Sequence, residues 1–191
     1  MSRLGYSVKL NGTCSPDATI TLKKITLAGS APEPTTGTTT EPTGAFHKTG
    51  TIDLSTGNWT TTSDKQAFKW FSAETLGSQS ITFTSAFNTS TSNKTYTNKD
   101  DEYLFVIPQN FSGTNELYVI VEYTIQYTGV KGPDGQPATM TNKVYKQLSY
   151  NFEQGKAYTI NLTIGRPIDF DVNAEITPWE KDTTIPEIPM D

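Results

Sequence analysis

The sequence predicts an all-β protein, a β-sandwich or a tandem pair of them, and three observations carry that reading. Short runs alternate apolar with polar residues, and clusters of turn-forming residues interrupt them every ten residues or so, the spacing of sandwich strands. No dozen-residue segment holds a 3.6-residue apolar stripe, and no repeat of 20–50 residues recurs along the 191 residues. Polar positions are dominated by Thr, Ser, Asn and Gly while only 18% of residues are charged, a composition that suits half-buried strands joined by solvated turns. Hydrophobic residues make up 34%, so the core is thin, and the 11% of aromatics must supply much of its area.

Tyr6 to Leu10 and Ala18 to Leu27 alternate, and the residues between them carry turn chemistry, which predicts two strands of one sheet. Residues 29–44 are rich in Thr, Pro, Gly and Glu and lack apolar periodicity, so they are expected to form a mobile surface loop. Phe46 to Leu54 and the run from Trp59 read as short strands separated by Ser55 to Asn58. The texture changes after Asp64, which places a domain division between residues 62 and 63; residues 64–76 are the nearest approach to a short helix or an irregular turn. Ser80 to Phe87 alternates, Tyr103 to Ile107 is a strand closed by Pro108, and Glu116 to Tyr127 is the strongest strand, dense in β-branched and aromatic residues and long enough to be central. Pro133-Asp134-Gly135 marks the turn of a long hairpin whose second arm includes Lys143 to Tyr150. Ala157 to Ile164 and Ile168 to Val172 are the last two strands. The expected organisation is thus an N-terminal β-domain over 1–62, a second sandwich over 63–181, and a tail over 182–191.

Several functions are disfavoured by what the chain carries. A net charge of −5 with no run of Lys or Arg argues against a phosphate-backbone partner, so no nucleic acid is expected. Cys14 is the single cysteine and can form no intrachain disulfide or cysteine-based zinc cluster; it reads as a small buried hydrophobe and not as a lipidated terminus, since no apolar run precedes it. No signal peptide or long apolar span is present, so an exported form would begin after processing. His47 is the single histidine and its flanks match no catalytic motif, which points to a surface or turn residue and to a protein that is not an enzyme. Asp169 and Asp171 share a polar strand face, and Asn98 to Glu102 lacks the spacing of a calcium loop, so neither metal nor cofactor is expected. Trp59, Trp70 and Tyr145 read as core in so aliphatic-poor a chain; exposed, they would instead suit stacking on sugars, which makes a carbohydrate-binding cell-surface module the alternative.

The motifs of this chain also form a recognisable series. Ile20 to Leu27, Gly44-Ala-Phe, Trp59, Phe105-Val-Ile-Pro-Gln109, the strand ending near Tyr127 and Gly155-Lys-Ala-Tyr158 through Trp179 together resemble the fimbrillin-like family, subunits of bacterial type V pili. The resemblance implies two tandem transthyretin-like, Greek-key sandwiches, the first of them incomplete over residues 1–62, on a secreted lipoprotein, displayed on the fimbrium at the outer membrane and acting in adhesion. It implies other pilus subunits as partners, with host or bacterial glycans or proteins as adhesion targets. Assembly in that family proceeds by strand addition, opened by proteolysis that typically follows an arginine; Arg3 is read as a residue beside the start and not as such a site. The donor would be the tail, with Thr184, Ile185, Ile188 and Met190 as its contacting residues, although Pro186 and Pro189 remove ladder donors and the spacing of Ile185 and Ile188 departs from period two. A stalk, tip or accessory role stays open. Asp182-Thr183-Thr184 resembles an O-glycosylation motif, with Thr183 as acceptor.

Overall fold

The computed structural model describes residues 1–10, 18–31, 42–72, 81–83, 96–97, 103–113, 116–164 and 170–177. Among them only strands occur, with no helix. In chain order these are β1 (Ser2–Leu10), β2 (Ala18–Ala28), β3 (Phe46–His47), β4 (Gly50–Ile52), β5 (Trp59–Thr61), β6 (Lys65–Gln66), β7 (Phe68–Ser72) and β8 (Ile81–Phe83). There follow β9 (Tyr96–Thr97), β10 (Leu104–Val106), β11 (Gln109–Phe111), β12 (Tyr118–Lys131), β13 (Pro137–Gln147), β14 (Tyr150–Phe152), β15 (Ala157–Ile164) and β16 (Phe170–Thr177). The all-β expectation therefore holds.

Two larger sheets are built from strands distant in sequence. The first runs β10-β1-β15-β16, with β9 on the same side of β1 as β10; the second runs β13-β12-β2-β7, with β8 beside β7 on β2. Within the first, β1 lies parallel to β15 from Arg3 opposite Ala157 to Leu10 opposite Ile164, and β15 returns antiparallel into β16. Small two-stranded pieces, β3-β6, β4-β5 and β11-β14, complete the pairing. The inward residues of both sheets belong to one apolar cluster: Leu4, Tyr6, Val8, Tyr158, Ile160 and Leu162 from one, Leu22, Ile25, Leu27, Val119, Val121 and Tyr123 from the other. Tyr6 touches the opposite sheet directly, edge-on to Trp70 at 5.0 Å and to Phe71 at 6.4 Å. Phe46, Phe111 and Phe152 close one end as a chain of rings, Phe46–Phe111 at 5.1 Å and Phe152–Tyr158 at 5.1 Å. Aromatics thus provide the area that the aliphatics lack, each fully buried side chain contributing ~2–3 kcal/mol before entropy is subtracted.

Two expectations are corrected by this pairing. First, β1 and β2 are not partners in one sheet; they lie in opposite sheets, because each finds its ladder with a strand from the other half of the chain. The strands before residue 62 also reach across it: β1 and β2 pair with β15 and β12, and their side chains share the same cluster. Second, residues 65–66 and 68–72 are strands and neither a helix nor an irregular turn. The register of β7 on β2 passes from Phe71 opposite Ile25 to Lys69 opposite Thr26, leaving Trp70 as the extra residue of a bulge. The bulge turns both Trp70 and Phe71 inward, which is why the run Phe68, Trp70, Phe71 imitates helical spacing.

The readings of the long strand and its hairpin hold. β12 is the central strand of the second sheet, flanked by β13 and β2, and its hairpin turns at Gly132 to Gln136 with Gly135 at a φ of 76°. Of the segment 29–44, only its base is described: the Gly29 amide donates to the Thr43 carbonyl at 2.8 Å, closing the two ends together. Gly44 sits where a Cβ would lie 2.3 Å from the Lys65 carbonyl carbon, so backbone approaches backbone too closely for any other residue.

Candidate interaction surfaces

Pairing dictates where the molecule can meet others. β1 is held on one flank by β15 over eight consecutive registers, but on the other, among the described residues, only at Ser2 to Leu4 by β10 and at Ser7 to Val8 by β9. Its side chains are nonetheless deeply placed, with Ser2, Leu4, Tyr6 and Val8 fully buried. The start of β1 docks on the turn between β14 and β15. The Ser2 hydroxyl donates to the Glu153 carbonyl at 2.8 Å, the Gly155 amide to the Met1 carbonyl at 3.0 Å, and the Arg3 amide to the Lys156 carbonyl at 3.1 Å. That turn is held by Gly155 at a φ of 73° and by the Glu153 amide, which donates to the Tyr158 hydroxyl at 2.8 Å. Burial holds the Tyr158 phenol above its ordinary pKa, and the Glu153 carboxylate raises that of Lys156 through their hydrogen-bonded ion pair. The Gly-Lys-x-Tyr motif is thus the mooring of the first strand.

Arg3 is an integral part of β1, with its guanidinium carbon 4.5 Å above the Tyr103 ring. A second motif is explained by Gln109, whose carboxamide accepts from the His47 amide at 3.2 Å and donates to the Ala45 carbonyl at 3.0 Å. The Gly-Ala-Phe and Ile-Pro-Gln pieces therefore meet in space. His47, expected on the surface or in a turn, is the half-buried second residue of β3, with its Nδ1 within 2.7 Å of the Thr62 carbonyl.

On one side the sheets end in β13 and β16, which approach each other. β13 is exposed along most of its eleven residues and carries Lys143 and Lys146, the kind of charge that discourages unselective edge pairing. The outward face beside it joins Lys24, Glu122 and Lys143 in a cross-strand row, Glu122 lying 3.4 Å from Lys143 and 3.9 Å from Lys24. Next to that row Tyr145, 49% exposed, meets Tyr118 edge-on at 6.1 Å. Sequence reading assigned Tyr145 to the core; the structure corrects this, because its register partner Ile120 lies on the face of β12 opposite Val119 and Val121. Trp70 is buried as expected, whereas Trp59 is half-buried and donates from Nε1 to the Gln154 carboxamide at 2.8 Å.

Thr183, Thr184, Ile185, Ile188 and Met190 lie outside the described residues, as do Cys14, Asn98 to Glu102 and Asp169. Among the described residues no three His, Cys, Asp or Glu side chains gather as a metal site requires.

A family model described as fimbrillin-like matches residues 8–179. A fimbrial protein from Bacteroides vulgatus shares the fold at a TM-score of 0.56 and 20% identity, covering 93% of this chain and 54% of its own. A protein from Bacteroides uniformis named for cell adhesion aligns at a TM-score of 0.37 and 16% identity, over 93% of this chain and 50% of its own. This chain thus spans about half the length of each of those structures. A search of curated proteins returned no match.

Proposed function

Because this chain belongs to the fimbrillin-like family, we propose that it is a structural subunit of a bacterial type V pilus, exposed at the cell surface and joined to neighbouring subunits by donated strands. The match over residues 8–179 carries the reading, since it takes in both sheets. Strand donation needs an acceptor with unpaired backbone groups and a donor able to reach it. Among the described residues β13 and β16 end the two strand orders, which supports the first requirement. For the second we assign residues 180–191, with Thr184, Ile185, Ile188 and Met190 facing the acceptor and Thr183 as an O-glycosylation acceptor at its root. Twelve residues reach at most ~40 Å, enough to lie along one edge. Secretion as a lipoprotein and a transthyretin-like arrangement of the sheets belong to the same proposal.

The test uses a chain ending at Trp179 mixed with a synthetic peptide of residues 180–191 and weighed by native mass spectrometry. A one-to-one complex that Ile185→Asp weakens supports the reading; a peptide that never binds contradicts it. A second reading, a carbohydrate-binding surface module, is favoured by the outward Tyr118–Tyr145 pair.

A further inference from the structure

An open cleft of about 370 Å³, lined by Asn110, Ser112, Ser149, Tyr150, Asn151 and Glu153, with Ile176 at its side, lies between the β11-β14 piece and the end of β16. It is separate from the Tyr118–Tyr145 face, and its volume falls at the lower end of small-ligand sites. We infer that this cleft binds one neutral pyranose unit of a glycan.

The chemistry of the lining argues for that ligand. Asn110 and Asn151 stand in register across the two strands, both exposed, so two carboxamides sit side by side with donors and acceptors. Ser112 and Ser149 add hydroxyls from the adjoining positions. Ile176, 54% exposed, adds an apolar surface. A pyranose presents the same mixture: hydroxyls that both donate and accept around its rim, and C–H groups on its faces that favour apolar and aromatic contact. The charges argue for neutrality. Glu153, the single carboxylate among the described lining residues, is ion-paired with Lys156 and lies 3.5 Å from the Asn151 amide nitrogen, and among those residues no cationic side chain lines the cleft to draw a phosphate or an acidic sugar.

The floor is also rigid. Phe111 and Phe152 point from these strands into the core, 2% and 0% exposed, and Tyr150 packs on Phe152 at 5.6 Å and on Tyr158 at 5.5 Å. Polar groups carried on strands so anchored lose little freedom on binding, which is what a weak, surface-facing sugar site needs. The inference rests on the second reading given above, a carbohydrate-binding surface module, and adds its site and ligand class.

The experiment is an amide- and side-chain-resolved NMR titration of the full chain with methyl pyranosides of glucose, galactose, mannose, N-acetylglucosamine and N-acetylgalactosamine. At least one is expected to shift residues 110, 112, 149 and 151 at millimolar concentration, with Asn151→Ala weakening it about five- to tenfold, the size of one lost hydrogen bond. Asn151→Gln, which keeps the carboxamide, should retain part of the response, and the melting temperatures of both variants confirm that they fold. If none of the sugars shifts these residues, or if Asn151→Ala leaves the response unchanged, the inference is overturned. Peptide binding at the sheet edge is read separately, so a chain that captures the 180–191 peptide yet ignores every pyranoside loses this inference and keeps the pilus reading.

Discussion

Gln109 makes two hydrogen bonds from one part-buried side chain and so ties β3 to β11 where no ladder joins them. Gln109→Ala leaves the His47 amide and the Ala45 carbonyl without these partners, and thermal or urea unfolding should register a loss of about 1–3 kcal/mol. Tyr158 supplies a pH signature. Its phenol is held above the ordinary value by burial, so the folded chain keeps this proton after the unfolded chain has lost it. The resulting stability is complete below pH ~10 and falls as pH rises from there through the folded value. Urea titrations should therefore show a decline above that pH which is shallower in Tyr158→Phe, while at neutral pH the variant loses only about 1 kcal/mol with the Glu153 hydrogen bond. An equal decline in both chains would remove Tyr158 as its source.

At the scale of elements, the mooring of β1 governs access to Arg3. The bond after Arg3 lies in a strand paired at Phe105 on one side and Ala157 on the other, whereas Lys131 stands exposed at the end of β12. Limited digestion with trypsin should cut at Lys131 long before Arg3, because cleavage there requires β1 to leave the sheet; early release of Met1 to Arg3 would contradict the placement. Much at this scale could be read in the sequence. β12, β15 and the hairpin turn are legible because alternation, β-branched density and Pro-Asp-Gly act locally. What could not be read was pairing at a distance: nothing in Tyr6 to Leu10 announces a parallel partner at Ala157 to Ile164, and the turn-rich residues after Leu10 imitate a hairpin. Trp70 misled for a different reason, since a bulge breaks the period of two on which strand reading depends. The motifs Ile-Pro-Gln and Gly-Lys-x-Tyr were legible as family marks, while their work as a clamp and a mooring depends on partners 62 residues away in the first case and on the chain start in the second.

For the molecule as a whole, a shared core predicts shared unfolding. Leu4, Leu22, Phe46, Val121 and Ile160 belong to one cluster that crosses the division at residue 62, so the described strands should melt together. Tryptophan fluorescence and far-ultraviolet circular dichroism should give coincident midpoints, with equal calorimetric and van't Hoff enthalpies; two separated transitions would restore an independent N-terminal unit. Assembly is the remaining property of the whole chain. The direct measurement is native mass spectrometry with electron microscopy of the concentrated full chain beside a chain ending at Trp179. Ladders or fibres that disappear with residues 180–191 are the result expected of strand donation by the tail, and a full-length chain that stays monomeric at every concentration would contradict it.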